Sequence, residues 1–296
     1  QEGEGMIGYY LGLAWRSLRR NVVLTILMIV AISFGVGASM TTLTVLHVLS
    51  ADPIPQKSDR LYYVQLDPKK LRSLAEDPEP NRQMTLLDGQ NLLRAKKATH
   101  QVLMTGGNAG IDAQRPDLPP FFLDDIRETT ADFFTMFDVP FIAGTGWTAD
   151  DDEKASRVCV ISKALAEKVY GSTNVVGKTL RVEKDETRVI GVIDNWRPVP
   201  HFYDLNTDIY GKGAQLFIPL STSLQINVGH SGNMNCWDEH TDSAAVGAPC
   251  EWLQFWVELD SKDKAAAYKD YLVAYSQEQK RVGKFEHAHG GTLLLD

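Results

Sequence analysis

Residues 22–50 read VVLTILMIVAISFGVGASMTTLTVLHVLS, and this stretch decides how the rest of the chain folds. It contains no Asp, Glu, Lys or Arg, and it exceeds the roughly 20 residues that a helix needs to cross a bilayer. A cleaved signal peptide has an apolar region of only about 7–15 residues and a small-residue cleavage site. The length also argues against the alternative of a buried core helix. The sequence therefore predicts a retained transmembrane helix over residues 22–50.

Basic residues precede the apolar stretch. Arg16, Arg19 and Arg20 stand immediately before it, and charges of mixed sign follow it. Because basic flanks stay in the cytoplasm, this asymmetry predicts a cytoplasmic N-terminus and an outer domain beyond about Ser50. Residues 1–21 have the 3–4 spacing of apolar side chains that is typical of an amphipathic helix at the membrane surface, with Trp15 suited to the interface.

Small residues recur every four positions within the apolar stretch. Ala31, Gly35 and Ser39 would form one row on the helix. In lipid, small residues allow two helix backbones to approach closely, so the row predicts a face that packs against another membrane helix. The alternative is that small residues are simply common in membrane helices.

The remaining residues have the composition of a folded, acidic outer domain. The net charge of the whole chain is −8 and no basic stripe is present, which excludes nucleic acid as a partner. Strand-like runs such as RVCVIS (157–162) and WLQFWVELD (252–260) alternate with helical runs, so the sequence predicts a mixed α+β fold. We expect a helix over 84–102, after which the glycines of MTGGNAG would break the chain.

Two of the three cysteines lie close together in a loop-like segment. Cys236 and Cys250 lie in a stretch rich in Gly, Asn, Asp and Pro, residues 229–252. In an oxidising compartment this spacing predicts a disulfide. A metal site is one alternative, since four possible ligands lie nearby, and free thiols are the other. The possible ligands are His230, Asp238, Glu239 and His240. Cys159 lies in a strand-like run and is interpreted as an inert core thiol.

One motif resembles a phosphate-binding loop and does not qualify as one. GSTNVVGKT (171–179) has five residues between its glycines, whereas the phosphate loop has four and opens a helix. Here the loop follows a predicted helix, which Ser162 can cap and Gly171 can end. The loop then enters a predicted hairpin, so a helix N-terminus cannot face a phosphate. We assign no catalytic residue, no cofactor and no metal from the sequence.

Residues 131–195 carry a family resemblance. The segment resembles the periplasmic core domain of MacB-like ABC transporter permeases. The matching features are an aromatic-rich helix end, a Gly–Trp turn, a V-x-V-I-S strand, an A-L-A helix, a Gly-Lys step into a hairpin and a V-x-G-V ending. In this chain they are residues 133–140, 144–147, 158–162, 164–166, 171–180 and 189–192.

The resemblance implies an architecture for the whole chain. The expected fold is α+β, with the N-terminal transmembrane helix followed by a two-lobed mixed α/β periplasmic domain. Residues 52–145 and 250–290 would form a discontinuous lobe near the membrane, and residues 146–249 an inserted lobe. Such permeases usually have one membrane helix before the outer domain and three after it, so we expect this chain to be the N-terminal part of a longer permease.

The resemblance also implies a function. The chain would be a non-catalytic permease subunit of the MacB/FtsX type in the bacterial inner membrane, coupling cytoplasmic ATP hydrolysis to periplasmic movement for efflux or envelope export. Its partners would be the lipid bilayer, an ABC ATPase subunit, a second copy or a related permease, and a periplasmic adaptor of the membrane-fusion class. The alternatives are a regulatory permease without transport and a periplasmic binding domain or enzyme anchored by a single helix.

Overall fold

The structure is a computed structural model. It describes residues 3–49, 54–68, 83–204, 206–207, 210–239, 242–286 and 292–295. The chain divides into two compact units, Gln1–Ala51 and Asp52–Asp296.

The first unit consists of two helices, α1 (Gly3–Arg20) and α2 (Val22–Leu49). Within the described part of the chain, one segment, Val22–His47, is long and apolar enough to cross a membrane by length and composition. Three threonine hydroxyls of α2 donate hydrogen bonds to carbonyl oxygens four residues earlier, at 2.8–3.0 Å. The helix therefore satisfies these polar groups internally, as an apolar solvent requires.

The second unit is built on one large sheet. Its strands are β1 (Leu61–Gln65), β2 (Met84–Thr85), β3 (His100–Asp112), β4 (Phe121–Thr129), β5 (Phe141–Gly144), β6 (Val158–Ser162), β7 (Thr179–Val182), β8 (Asp185–Ile193), β9 (Leu216–Pro219), β10 (Gly229–Ser231), β11 (Asn235–Cys236), β12 (Cys250–Glu258) and β13 (Thr292–Leu295). Its helices are a 3₁₀ turn (Ser58–Arg60), α3 (Leu86–Ala95), α4 (Phe133–Met136), α5 (Ala149–Lys154), α6 (Lys163–Tyr170), α7 (Leu220–Ile226) and α8 (Lys262–Arg281).

The strand order is β13-β1-β12-β3-β4-β9-β6-β8-β5, with the shorter strands attached to β3, β8 and β12. Most neighbours are antiparallel, and the parallel pairs are β4 with β9 and β6 with β8. The second parallel pair is joined through α6, as parallel strands require a crossover connection. Mixed helices and strands in this arrangement confirm the predicted α+β class.

Helix α6 begins and ends where the sequence predicts. The Ser162 hydroxyl accepts a hydrogen bond from the Leu165 amide, and Gly171 ends the helix at φ +68°. The first contact satisfies an amide that the helix itself cannot pair, and the second uses a conformation that favours glycine. Both predicted caps of this helix are confirmed.

The segment after α3 corrects the sequence-based expectation. Helix α3 ends at Ala95, with Lys96 in the left-handed region at φ 48°. The chain then forms β3, the long strand His100–Asp112, which runs through the glycines that were expected to break it. The reason is long-range, because β3 pairs with β12 and β4 on its two sides. Partner strands hold these glycines extended despite their low strand propensity.

Three apolar clusters pack against the sheet. One draws on residues 109–228, and another chiefly on residues 62–103 and 250–272. The third joins aromatic side chains of α4 to Trp256 of β12 and to Tyr203, which packs against Phe133 with ring centroids 5.6 Å apart. Strand β3 contributes to all three clusters. The two predicted lobes and their boundaries at 52–145, 146–249 and 250–290 stay a prediction.

Candidate functional site

A buried ion pair lies beside the centre of the sheet. The Arg127 guanidinium on β4 donates to the Asp204 carboxylate. The same carboxylate accepts hydrogen bonds from Thr207 and, at 2.9 Å, from the Gln254 side chain of β12. We call these four residues the Arg127 cluster. Arg127 and Asp204 are 77 positions apart along the chain, and Asp204 and Gln254 are 50 positions apart. The cluster therefore links β4, β12 and the segment that holds Asp204.

The electrostatics of the Arg127 cluster favour the charged forms. Burial alone would raise the pKa of Asp204, but the Arg127 charge and the hydrogen bonds from Thr207 and Gln254 outweigh it and hold that pKa well below its usual range. Burial works against the charge of Arg127 as well, while Asp204 raises its pKa. The pair is therefore ionised throughout the physiological pH range, and each charge depends on the other.

A polar cavity of about 320 Å³ adjoins the Arg127 cluster. Arg127 lines it together with Tyr203, Lys212 and Ser231. Among the described residues, the Arg127 Nε and Nη1 atoms are buried and have no hydrogen-bond partner. A buried donor without a partner costs free energy, so water is the expected occupant of this cavity.

A second buried acid neighbours the first cluster. Glu128 follows Arg127 on β4, and its side chain is inaccessible to solvent. It accepts a hydrogen bond from the Ser223 hydroxyl at 2.6 Å, and its Oε1 lies 3.0 Å from His230 Nδ1. Burial raises the pKa of Glu128, while the contacts with His230 and Ser223 lower it and only partly compensate. This group of three is the Glu128 cluster.

The Glu128 cluster has the residue types of a catalytic triad in the wrong order. A nucleophilic serine needs a histidine within hydrogen-bond distance and a carboxylate behind that histidine. Here the carboxylate of Glu128 stands between Ser223 and His230. Ser223 is fully buried and also bonds the Leu220 carbonyl oxygen at 2.8 Å. The arrangement therefore holds α7 and β10 on the sheet rather than activating the serine.

Gly107 explains why β3 carries glycines at this point. A Cβ atom at Gly107 would lie 2.4 Å from Glu128 Oε1, and a Cβ at Gly106 would lie 2.6 Å from Ser231 Oγ. Both distances are shorter than real Cβ contacts, so the glycines leave the space that the buried polar groups occupy. The glycines of β3 are the available sequence signal for these clusters, although their composition alone predicts a break in the chain. The pairing of Arg127 with Asp204 has no local signal.

The structure brings Cys236 and Cys250 together at the start of β12. Their sulfur atoms are 2.10 Å apart, in a disulfide, and the two residues face each other in the β11–β12 register. Among the described residues, no group of three His, Cys, Asp or Glu side chains could hold a metal ion. His240 of the alternative metal site lies outside the described residues. Oxidation of this pair in the cell stays a prediction.

The third cysteine is buried in the core. Cys159 on β6 is fully buried, and burial raises the pKa of its thiol to about 12. A thiol with this pKa forms almost no thiolate at neutral pH, which is the reactive species. Its burial agrees with the interpretation as a core thiol.

The predicted helix-packing row lies on α2. Ala31, Gly35 and Ser39 are exposed within this single chain, and a Cβ atom added to Gly35 contacts no heavy atom within 4 Å. The row is therefore accessible from outside the chain. Its role in packing against another helix stays a prediction.

The loop 171–177 follows the C-terminus of a helix, as the sequence predicts. It begins at the C-terminus of α6 and leads into β7, and Lys178 Nζ lies 4.9 Å from the centre of the Tyr170 ring. A phosphate-binding loop instead precedes the N-terminus of a helix. The amides of this loop are consequently not at a helix N-terminus, where the positive end of the helix dipole would attract an anion.

Residues 25–275 match the profile of the MacB-like periplasmic core domain family. The chain belongs to this family. The match begins inside α2 and ends inside α8, so it covers the apolar helix as well as nearly all of the outer domain. No curated protein matches the chain in sequence.

Solved structures of MacB-like domains are similar to this one. The periplasmic region of MacB from Actinobacillus actinomycetemcomitans is 14% identical with a TM-score of 0.50, and the similarity covers 84% of this chain and 94% of that one. The extracellular domain of the noncanonic ABC-type transporter YknZ from Gram-positive bacteria is 14% identical with a TM-score of 0.48, covering 79% and 99%. The first of these comparisons places the outer domain in the MacB-like fold, in agreement with the sequence resemblance.

Proposed function

We propose that this chain forms the first membrane helix and the outer domain of a permease subunit in a MacB-like ABC transporter. The observation that carries the proposal is the family match over residues 25–275, which includes the apolar helix and the sheet in one continuous segment. Helix α2 would cross the bacterial inner membrane, with Arg16, Arg19 and Arg20 on the cytoplasmic side. The Asp52–Asp296 unit would then lie in the periplasm, which is oxidising and permits a disulfide.

In this proposal the permease itself is not catalytic. An ABC ATPase on a separate subunit or domain binds and hydrolyses ATP, and its closure moves the membrane helices. The orientation of the 171–177 loop and the order of groups in the Glu128 cluster both support the absence of chemistry in the outer domain. The densely packed sheet would respond as a rigid body, since packed interiors transmit displacement instead of deforming continuously.

The proposed assembly contains two permease copies and a periplasmic adaptor of the membrane-fusion class. The exposed row of Ala31, Gly35 and Ser39 supports contact with a further membrane helix. Efflux or envelope export is the proposed use of the movement.

Distance measurements between two labelled copies test this proposal. Lys184 is exposed in the turn between β7 and β8, and Lys184→Cys offers an accessible thiol while Cys159 is buried and the other two cysteines are paired. In the full permease reconstituted with its ATPase, spin labels at position 184 should change their inter-copy distance when Mg-ATP is added. A second label at exposed Lys269 on α8 serves as the control, because the 184–269 distance within one copy should stay constant.

Three results would contradict the proposal. If the inter-copy distance does not change when Mg-ATP is added, the outer domain is not coupled to the ATPase. If no inter-copy distance is detected at all, the permease does not form the proposed dimer. ATP hydrolysis by the permease without its ATPase partner would remove the non-catalytic assignment. If movement occurs but no solute stimulates ATP hydrolysis or crosses the membrane, the regulatory alternative gains over transport.

A further inference from the structure

Two neighbouring cavities in the outer domain meet at the end of α3. The first has a volume of about 430 Å³ and lies among α3, β3, the 130–132 segment, α5 and α7. Five leucines supply its apolar lining, and we call it the leucine groove. They are Leu86, Leu93, Leu103, Leu220 and Leu224.

The second cavity has a volume of about 400 Å³ and a different character. It is lined by three lysines, two tyrosines, two alanines and a threonine, with no acidic residue among them, and we call it the lysine pocket. The lysines are Lys96, Lys97 and Lys264. Lys97 Nζ lies 5.9 Å from the centre of the Tyr271 ring, so the aromatic side chain supports the ammonium group beside the opening.

The two cavities share part of their lining. Lys96, Ala98 and Thr99 belong to both. Lys96 ends α3 in a left-handed conformation at φ 48°, which turns the chain sharply between the groove and the pocket. An apolar cavity thus opens directly beside a cationic one, and the combined volume is typical of ligand-binding sites.

The acidic residues of the leucine groove are engaged by the fold. Asp152 accepts hydrogen bonds from the Ala131 amide at 2.7 Å and the Trp147 indole at 2.9 Å. Asp132 accepts one from the Gln101 amide at 2.9 Å and lies 3.4 Å from His100. Glu153 on α5 and Arg94 on α3 are both exposed, carry opposite charges and line the groove. Lys264 of the lysine pocket is paired with Asp260 at 2.5 Å. Among the described residues, the positive charge left for a ligand beside the two cavities is therefore that of Lys96 and Lys97.

We propose that the leucine groove and the lysine pocket together bind an anionic amphiphile with a single alkyl chain. The chain would lie among the leucines, where its contact with water is lost. The carboxylate or phosphate head would lie at Lys96 and Lys97, whose ammonium groups form charge-assisted hydrogen bonds with either anion. This site is independent of the ATPase and of the direction of transport.

Photocrosslinking in the full chain tests the site. The probes are a long-chain alkyl carboxylate and the alcohol of the same length, each carrying a diazirine near the end of the chain. The protein is kept in polymer nanodiscs cut from native membranes, and labelled peptides are mapped by mass spectrometry. We expect the carboxylate probe to label peptides that contain Leu93 or Leu224, and to do so more than the alcohol.

Substitutions separate the head-group contact from the chain contact. Lys97→Gln should reduce carboxylate labelling of the groove by about fivefold, the scale of one partly exposed charge contact, and leave alcohol labelling unchanged. Ala98→Trp should block the junction and reduce labelling by both probes. Leu224→Gln is the second groove variant, in case the larger side chain disturbs folding. Lys184→Gln is the matched control. Lys184 is an exposed lysine, and it lines neither cavity.

Several outcomes would overturn the proposal. Equal labelling by the carboxylate and the alcohol removes the role of the lysines. Labelling confined to α2 shows partition into the membrane and no site in the outer domain. Unchanged labelling in both folded groove variants, as judged by circular dichroism, shows that the chain lies elsewhere.

Discussion

Helix α2 and strand β12 are both apolar, yet they tolerate polar groups very differently. All nine residues of β12 are buried inside the outer domain, and among them are Glu251, Gln254 and Glu258. In the candidate span Val22–His47 none of the residues is buried within the chain, and the span contains no acid, lysine or arginine. The more deeply buried element is therefore the one that carries the charges.

The difference reflects what surrounds each element. A strand inside a folded domain can hold polar and charged groups because the fold brings partners to them. On β12, Gln254 donates to Asp204 at 2.9 Å, and Glu258 lies 4.0 Å from Arg60. A helix that faces lipid finds no partner there, so a charge near its centre costs several kcal/mol on insertion scales, about 2.5–3.5. For α2 in the proposed membrane location, apolar composition is thus a rule, whereas for β12 it is only a tendency.

Removing one partner of the buried ion pair should have the largest effect. Asp204→Ala leaves the Arg127 charge buried without compensation, and we expect a loss of about 3–5 kcal/mol in the free energy of unfolding. Urea titration of the full chain, followed by tryptophan fluorescence, measures the change. The double variant Arg127→Met with Asp204→Ala should recover part of the loss, since it removes both charges.

The matched control is an ion pair at the surface. Arg115 and Asp117 form a salt bridge that is largely exposed, so Asp117→Ala should leave the unfolding midpoint nearly unchanged. Equal effects of Asp117→Ala and Asp204→Ala would show that burial does not set the importance of charge partners in this domain.

A half-buried acid outside the two clusters should make stability depend on pH. Burial raises the pKa of Asp152 from 3.8 to about 7, and the hydrogen bonds from Ala131 and Trp147 only partly oppose this. Between pH 4 and pH 7 the unfolded chain releases the proton that the folded domain retains, so stability falls as pH rises through this range. Linkage sets an upper limit of about 4 kcal/mol on the change.

The variant Asp152→Asn isolates this contribution. It has no proton to release at this position, so the stability difference between parent and variant should shift steadily from pH 4 to pH 7 and level off above that. Chemical denaturation at a series of pH values gives the curve. A difference that is constant with pH would mean that Asp152 titrates in the folded domain as it does in water.

The disulfide at the start of β12 should contribute slightly less. Replacing Cys236 and Cys250 by alanine opens the loop between two residues that are 14 positions apart. Chain entropy alone predicts a loss of about 3 kcal/mol in the free energy of unfolding. Protein exported to its native compartment should yield the linked peptide in non-reducing mapping. Recovery of both cysteines as alkylatable thiols would contradict the pairing.

The smallest expected effect concerns the small-residue row of α2. Gly35→Leu should weaken assembly of the full permease by on the order of 1 kcal/mol, because a bulky side chain separates packed membrane helices. Cross-linking of the two copies in membranes measures the assembled fraction. Ile29→Leu is the control on another face and should assemble like the parent. Identical behaviour of both variants would make the small-residue row incidental.

Local signals in the sequence were sufficient for much of the fold. The apolar length of α2, the cap residues Ser162 and Gly171, and the strand composition of β6 each act within a few residues, so each could be predicted correctly. The motifs in residues 131–195 supplied the family, and the family supplied the domain type.

Long-range contacts account for what the sequence did not reveal. Strand β3 was missed because its glycines are explained only by Glu128 and Ser231, which approach it from other strands. The Arg127–Asp204 pair is separated by 77 positions, and nothing near either residue indicates the partner. The two cavities at the end of α3 likewise combine helices that are distant in the chain.

The edge of the sheet has a mechanical consequence under the proposed function, in which moving membrane helices would pull on the outer domain. Strand β1, which the chain enters shortly after α2, pairs antiparallel with β13 in a register running from Tyr62↔Leu295 to Gln65↔Thr292. The start of β1 and the end of β13 therefore lie side by side, and a pull that separates these two points would unzip their hydrogen bonds one pair at a time. Shearing, in which all hydrogen-bonded pairs resist together, would instead require pulling β1 and β13 from points at opposite ends of their shared register. Single-molecule pulling between positions 61 and 295 should accordingly record a low-force opening of this edge before the three core clusters yield.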